Sequence, residues 1–242
     1  MKFNQSNLLK QFSNITSAFT TKKSGNLAFH IGDVVDNVIK NHKLLANELA
    51  YSVQRVVHMK QIHSDRVHKV TSKDDFSNPP TCDALITDEK NTPLMVMVAD
   101  CAPILFYDAK QEVIAVAHAG RAGAFSNIVQ NVIDSFVSEY NSNIDEIYVS
   151  IGANIKACCY EVGSEINTQA QALGLEYAIA KRDTSYYLDI SAILLKQLQN
   201  AGIKEKNIEL SLECSACSTD KHYSYRVEKE TGRFAGLICI NA

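Results

Sequence analysis

Residues 94–123 read LMVMVADCAPILFYDAKQEVIAVAHAGRAG. The apolar run 94–99 predicts a buried strand, with Asp100 and Cys101 at its end and Pro103 blocking regular continuation. A second run, 104–107, turns through Asp108-Ala109-Lys110-Gln111, and a third, 113–117, delivers His118 at its own end. Gly120 and Gly123 follow, and helical spacing begins. A thiol and an imidazole thus stand where strands stop and loops start, the positions at which binding and catalytic side chains concentrate.

Working outward, the strongest amphipathic pattern lies just downstream. Phe125, Ile128, Val129, Val132, Ile133, Phe136 and Val137 recur at i, i+3, i+4 and predict one long helix opening directly from the Gly120–Gly123 loop. Upstream, residues 33–50 have helical spacing, 51–59 are Val-rich and strand-like, and 84–87 form a short strand. Downstream, strands are expected at 147–151, 186–188, 208–212 and 234–240. Helices are expected at 161–172 and 190–201, the latter stopped by Gly202. The polar stretches 21–26, 73–81 and 214–233 read as loops. No repeat or low-complexity segment interrupts this alternation, which favours an α/β or α+β fold in a single domain over residues 1–242.

The 242 residues are 46% hydrophobic and 21% charged, an ordinary globular composition able to bury a sizeable core. A net charge of −3 offers no basic field for nucleic acid or an anionic membrane. No apolar run nears the ~18 residues of a membrane span, and the first residues carry no long apolar signal region. Seven cysteines, an odd number without an export signal, read as thiols of a cytoplasmic protein.

Zinc catalysis takes three protein ligands and leaves one position open. Cys101 and His118 are two candidates by position; the third could be His63, with His58 and His68 nearby. Asp83 and Asp100 are candidate proton carriers, provided their pKa values are raised; the competing role for each is a turn or strand-end cap. Gly120 and Gly123 would let an anion approach a helix N-terminus, with Arg121, Arg226 and Arg233 as possible guanidinium forks and a surface ion pair as the ordinary alternative. Cys214-Ser215-Ala216-Cys217 is a C-x-x-C that could be redox-active or half of a structural zinc site. No second C-x-x-C completes it, and the adjacent Cys158-Cys159 lacks chelating spacing, so Cys214 reads as structural or pocket-lining.

The ordered motifs Gln61-Ile62-His63, Asp83-Ala84-Leu85-Ile86-Thr87, Ala99-Asp100-Cys101-Ala102-Pro103 and His118-Ala119-Gly120 resemble those of the YfiH family. So do Gly152-Ala153-Asn154-Ile155 with Tyr160-Glu161-Val162-Gly163, and Ser224-Tyr225-Arg226 with Thr231-Gly232-Arg233. This family is also labelled laccase-domain, multicopper polyphenol oxidase or purine nucleoside phosphorylase. The resemblance implies mixed β-sheets sandwiched by helices in α/β/β/α layers, and a zinc site on His63, Cys101 and His118. It further implies phosphorolysis of adenosine, inosine, guanosine and methylthioadenosine, together with adenosine deamination. The expected partners are then a purine nucleoside and phosphate, for a monomer or small homo-oligomer. The chain departs from the pattern after His118: the usual His-Ala-Gly-Trp-Arg-Gly is here His118-Ala119-Gly120-Arg121-Ala122-Gly123, with no Trp and a displaced Arg. The doubled Arg after Ser-Tyr is Arg226-Val227, an early Thr-Arg is Thr21-Lys22, and an Asn-Arg pair is Asn41-His42.

Other chemistries use the same residues. A copper-dependent phenol oxidase would suit Cys and His ligands, though the His-x-His clusters of a multicopper site are missing. A hydrolase editing cell-wall precursors could use Cys101 as nucleophile and His118 as base. A zinc-stabilised binding module would want a fourth protein ligand.

Overall fold

The computed structural model describes residues 2–242. Thirteen strands are found among them: β1 (Phe3–Asn4), β2 (Ile15–Thr20), β3 (Val67–Lys69), β4 (Ala84–Thr87), β5 (Leu94–Val98), β6 (Ala102–Asp108), β7 (Val113–Ala119), β8 (Ile147–Ile151), β9 (Glu161–Val162), β10 (Ile179–Arg182), β11 (Ser185–Leu188), β12 (Ile208–Leu210) and β13 (Phe234–Ile240). Six α-helices accompany them: α1 (Val35–Leu49), α2 (Arg121–Phe125), α3 (Ile128–Tyr140), α4 (Ser164–Ala172), α5 (Ile190–Asn200) and α6 (Tyr225–Glu228).

A six-stranded mixed sheet in the order β12-β8-β6-β7-β4-β3 stacks on a four-stranded antiparallel sheet, β1-β2-β13-β5. A small third sheet, β10-β11-β9, lies apart from both. Strand β6 shows why its sequence is continuously apolar. Leu105 and Tyr107 face the four-stranded sheet, where they meet Leu94, Val96, Val98, Phe234 and Ile238. Ile104 and Phe106 face the other way, onto Val129, Val132 and Phe136 of α3 and Ile193 and Leu194 of α5. A strand buried on both faces has no polar side to alternate. The outer face of the four-stranded sheet is covered by Leu45 and Leu49 of α1, against Met95, Met97 and Leu237. The layers therefore run α/β/β/α, as the family resemblance implied.

Four local expectations need correction. Pro103 does not interrupt β6; it sits inside it, opposite His118. The ladder to β8 begins at Ile104, and just past it the Gly152 amide still donates to the Pro103 carbonyl at 2.9 Å, so the missing N–H falls at the very end of that ladder. The long helix after Gly123 is two helices. Asn127, with left-handed backbone (φ 59°), breaks it and caps α3 by accepting from the Gln130 amide. Residues 51–59 are a 3-10 turn (Val53–Arg55) and a single bridge from Val57 to Leu94 rather than a strand. The helix expected from residue 161 starts at Ser164, because Glu161 and Val162 pair with β11.

Candidate active site

The β6–β7 hairpin and the end of β5 converge on one point. Asp100 and Cys101 lie on the three-residue link between β5 and β6, and His118 stands near the end of β7, one strand away. His63 arrives on the loop before β3. Its nitrogen, the Cys101 Sγ and a ring nitrogen of His118 all lie within 4.8 Å of one another. Cys101 Sγ is 3.9 Å from His63 Nε2, and the two imidazoles meet edge to face at 4.7 Å between centroids. His58 and His68 are elsewhere. His58 is buried and bonds the Phe76 carbonyl, and His68 pairs with Asp74.

Asp83 organises the three. It is fully buried and accepts hydrogen bonds from the Ile62, His63 and Ser64 amides at 3.2, 3.0 and 2.6 Å, and from the Ser64 hydroxyl at 2.7 Å. The amides wrap the carboxylate and hold the His63 loop, whose backbone is left-handed at His63 (φ 59°). Asp83 Oδ1 also lies 2.9 Å from His118 Nδ1, so that nitrogen keeps a proton and Nε2, on the side of Cys101 and His63, is the one that would lose its proton to ligate a metal. Burial would raise the Asp83 pKa, but the bonds from His118 and Ser64 outweigh it and hold the carboxyl well below its usual range. That is the opposite of what a proton carrier requires. Gln61 adds a second tie, its side chain bonding both the amide and the carbonyl of Met97 on β5.

Asp100 serves as a strut. Its backbone is strained into the left-handed region (φ 86°). One carboxylate oxygen accepts from Ser215 Oγ at 2.6 Å, the other from the Arg226 amide at 2.7 Å. With no metal bound, Cys101 and His118 form an ion pair. Burial opposes both charges, yet each favours the other's: the thiol falls to about 6 and the imidazole rises to about 9.

These side chains form the floor of a cavity of about 480 Å³, a size suited to a small ligand. Arg121, Arg226 and Arg233 all enter its wall, with Tyr160, Tyr225 and Lys229. Among the described residues none of the three guanidiniums pairs with a carboxylate, which replaces the surface ion pair weighed above. Arg121 bonds the Gln169 side chain, Arg226 the Glu161 carbonyl while lying over the Tyr160 ring, and Arg233 the Thr231 and Gly232 carbonyls. Their charge is left for the cavity.

The two glycines act differently from expectation. The Gly120–Gly123 segment belongs to the five-residue α2 and its cap, and α3 has its own start at Asn127. A Cβ at Gly120 would lie 2.8 Å from Cys101 Sγ and 3.2 Å from a His63 ring carbon, so this glycine makes room for the floor itself. Gly123 packs against the Ser64 and His118 carbonyls and is buried inside α2. Sequence reasoning missed Tyr160, Gln61 and Ser215 as parts of the site, although Gln61 and Tyr160 fall in its motifs. Cys158, Cys159, Cys214 and Cys217, judged unable to chelate together, bring their four sulfurs within 4.8 Å of one another.

The family model described as multi-copper polyphenol oxidoreductase laccase matches residues 14–241. The chain belongs to this family. Within the laccase-domain family, the chain is 34% identical to a purine nucleoside phosphorylase of Corynebacterium glutamicum, over 93% of this chain and 94% of that one. It is 31% identical to purine nucleoside phosphorylase YlmD of Geobacillus stearothermophilus, over 94% and 90%. Among solved structures, Bacillus licheniformis hypothetical protein YfiH superposes with a TM-score of 0.91 at 29% identity, covering 96% of this chain and 95% of that one. Among the described residues the groupings able to hold a metal are the two-His, one-Cys set and the four-cysteine set, and neither resembles a His-rich multicopper cluster. Two imidazoles and a thiolate suit zinc or a single copper. No helix among the described residues is long and apolar enough to cross a membrane.

Proposed function

We propose that this laccase-domain protein is a zinc-dependent purine nucleoside phosphorylase that also deaminates adenosine, with the whole chain acting as one catalytic unit. One observation carries the reading: a three-ligand metal set opens onto a cavity whose walls present three arginines without carboxylate partners. The kinship with purine nucleoside phosphorylases supports it. A blue-copper electron-transfer site uses similar ligands but has no need of a ligand-sized cavity beside them.

His63, Cys101 and His118 would hold the ion. Asp83 fixes the His118 tautomer, and Gly120 leaves space for the sulfur. When bound, zinc supplies Lewis-acid polarisation of whatever oxygen or nitrogen enters its open position. In phosphorolysis a phosphate oxygen bonds to the ribose C1′, the bond from C1′ to the purine nitrogen breaks, and the base leaves with that electron pair and takes up a proton. Arg226 and Arg233 bind the phosphate and Arg121 closes the rim, as charge-assisted forks. Tyr160 is suited to give the proton. Its ring lies against Arg226, whose charge, with that of Arg121, favours release of the phenol proton, although burial and Cys101 act the other way and leave its pKa raised. Asp100, with both oxygens occupied, keeps Ser215 and the Arg226 backbone in place rather than carrying protons. In deamination water replaces the exocyclic amine, which leaves as ammonia, and no phosphate is consumed.

A second reading draws on a specific feature. The metal-free Cys101–His118 pair, backed by Asp83, has the arrangement of a thiol hydrolase. The deciding experiment incubates metal-analysed protein with adenosine and inosine, with and without phosphate, before and after chelation, and identifies products by chromatography. Phosphate-dependent release of free base, lost on chelation and restored by zinc, is expected. No release of base from any nucleoside overturns the assignment, and a hydrolysis that survives chelation favours the thiol enzyme.

A further inference from the structure

Four of the seven cysteines gather away from the cavity floor. Cys158 and Cys159 lie on the turn after β8; Cys214 and Cys217 lie on the turn after β12. The Sγ of Cys217 is 3.6 Å from that of Cys158 and 3.3 Å from that of Cys159, and all four sulfurs fall within 4.8 Å of one another. A disulfide would need about 2.05 Å. A tetrahedron of thiolates at about 2.3 Å from a central ion has edges of about 3.8 Å, which is the spacing range seen. Four thiols clustered without a bond among them are also an oxidation hazard unless something occupies their centre.

The backbone is arranged for such an ion. Cys214 Sγ receives the Lys156 amide at 3.4 Å, so a sulfur on one turn is met by an N–H from the other. The turns are tied independently of any metal by a bridge between Asn154 and Cys214, with the Ser215 amide on the Asn154 carbonyl at 3.1 Å. The same two turns carry Tyr160 and Ser215, the latter bonded to Asp100.

We propose that Cys158, Cys159, Cys214 and Cys217 bind one zinc ion as a closed tetrathiolate site, which fastens the turn after β8 to the turn after β12 and so braces Tyr160 and Asp100 in the cavity wall. Binding exchanges thiol protons for the ion and involves no electron transfer. The adjacent Cys-Cys pair is the unusual element; folding, not sequence spacing, brings it opposite the C-x-x-C.

The test separates this site from the cavity floor. Cys101→Ala breaks the His63–Cys101–His118 set, so zinc retained in that protein, purified under reducing conditions without chelator, belongs to the cluster. About one equivalent per chain is expected, and zinc-edge X-ray absorption should show four sulfurs at about 2.3 Å. Adding Cys217→Ser should remove that equivalent, whereas Cys239→Ser, buried in β13, should not. In the unmodified protein, cobalt(II) loading should produce the intense charge-transfer bands of several thiolates on one ion, which guards against a variant that fails to fold. Zinc absent from Cys101→Ala, a mixed nitrogen and sulfur shell, or a disulfide among the four cysteines in freshly reduced, zinc-supplied protein would each overturn the site. These readouts follow metal content and not phosphorolysis, so failure of the cluster and failure of the proposed activity remain distinguishable.

Discussion

The cavity has a floor and a wall, and they are built by opposite means. The floor, His63, Cys101 and His118, hangs from strand ends and is locked from behind by one buried carboxylate that accepts from three amides, a hydroxyl and an imidazole. The wall, Arg121, Arg226 and Arg233, stands on a five-residue helix, a four-residue helix and a loop, each guanidinium held by neutral acceptors. A metal site needs ligand atoms fixed to within a few tenths of an ångström, which only a rigid backbone with a satisfied outer shell delivers. Anion binding by long side chains tolerates a change of origin, because a guanidinium reaches several ångströms from its backbone. The contrast explains how this chain can shift an Arg by one position and drop a Trp in the loop after His118 while keeping every residue of the floor.

The largest effects should come from the floor. His63→Ala, Cys101→Ala and His118→Ala should each remove about one metal equivalent per chain, with the fold retained by circular dichroism. Each should lower phosphorolysis beyond the ~10–100-fold that loss of an outer partner costs. Full pocket occupancy in active Cys101→Ala would erase the distinction between floor and wall. Next comes the wall. Arg226→Ala should raise the phosphate KM roughly tenfold to 150-fold, the equivalent of about 1.5–3 kcal/mol for a lost charge-assisted bond, and affect deamination much less. The same split should hold for Arg121→Ala and Arg233→Ala. Equal loss of both reactions would make the arginines structural.

A somewhat smaller effect is expected behind the floor. Asp83→Asn keeps the shape but removes the charge that orients His118, and metal affinity measured by chelator competition should fall about 10–100-fold. Unchanged affinity would mean that packing alone aligns the imidazole. The subtlest readout concerns the metal-free protein. The His118 imidazolium holds the Cys101 thiol at about 6, below the ~8.5 of an unperturbed cysteine. Alkylation of Cys101, followed by peptide mapping, should therefore persist down to about pH 6 and fade only below it, and bound metal should suppress it. Half-maximal reaction near pH 8.5 would show that the pair is not charged.

The α/β alternation was legible because several strands are buried on both faces, so Leu94–Val98, residues 113–117 and Phe234–Ile240 appear as apolar runs, whereas the α/β/β/α layering was implied only by the family resemblance. The break at Asn127 was not legible, since the apolar spacing continues across it and only the left-handed Asn cap interrupts the helix. Spacing favoured His63 as the third floor ligand only weakly over His58 and His68. What separates them is the ring of amides around Asp83, a contact between residues 20 apart that no local pattern encodes. Tyr160 and Ser215 escaped for the same reason, reaching the cavity from turns distant in the chain. The four-cysteine cluster was misread because adjacency was judged along the sequence, where Cys158 and Cys217 are 59 residues apart.

Strand β13 lies between β2 and β5, so β5 has no other neighbour in its sheet. On the ribosome this order sets a timetable. Residues 15–20 and 94–98 emerge well before residues 234–240, which must arrive before the sheet can close. Pairings this distant in sequence form slowly. Until residues 234–240 arrive, the end of β5 is held by the Gln61 side chain on Met97, and Cys101 leads directly into the β6–β7 hairpin. The four-stranded sheet, rather than the metal-ligand set carried by residues 63–118, is therefore the part of the fold that waits longest.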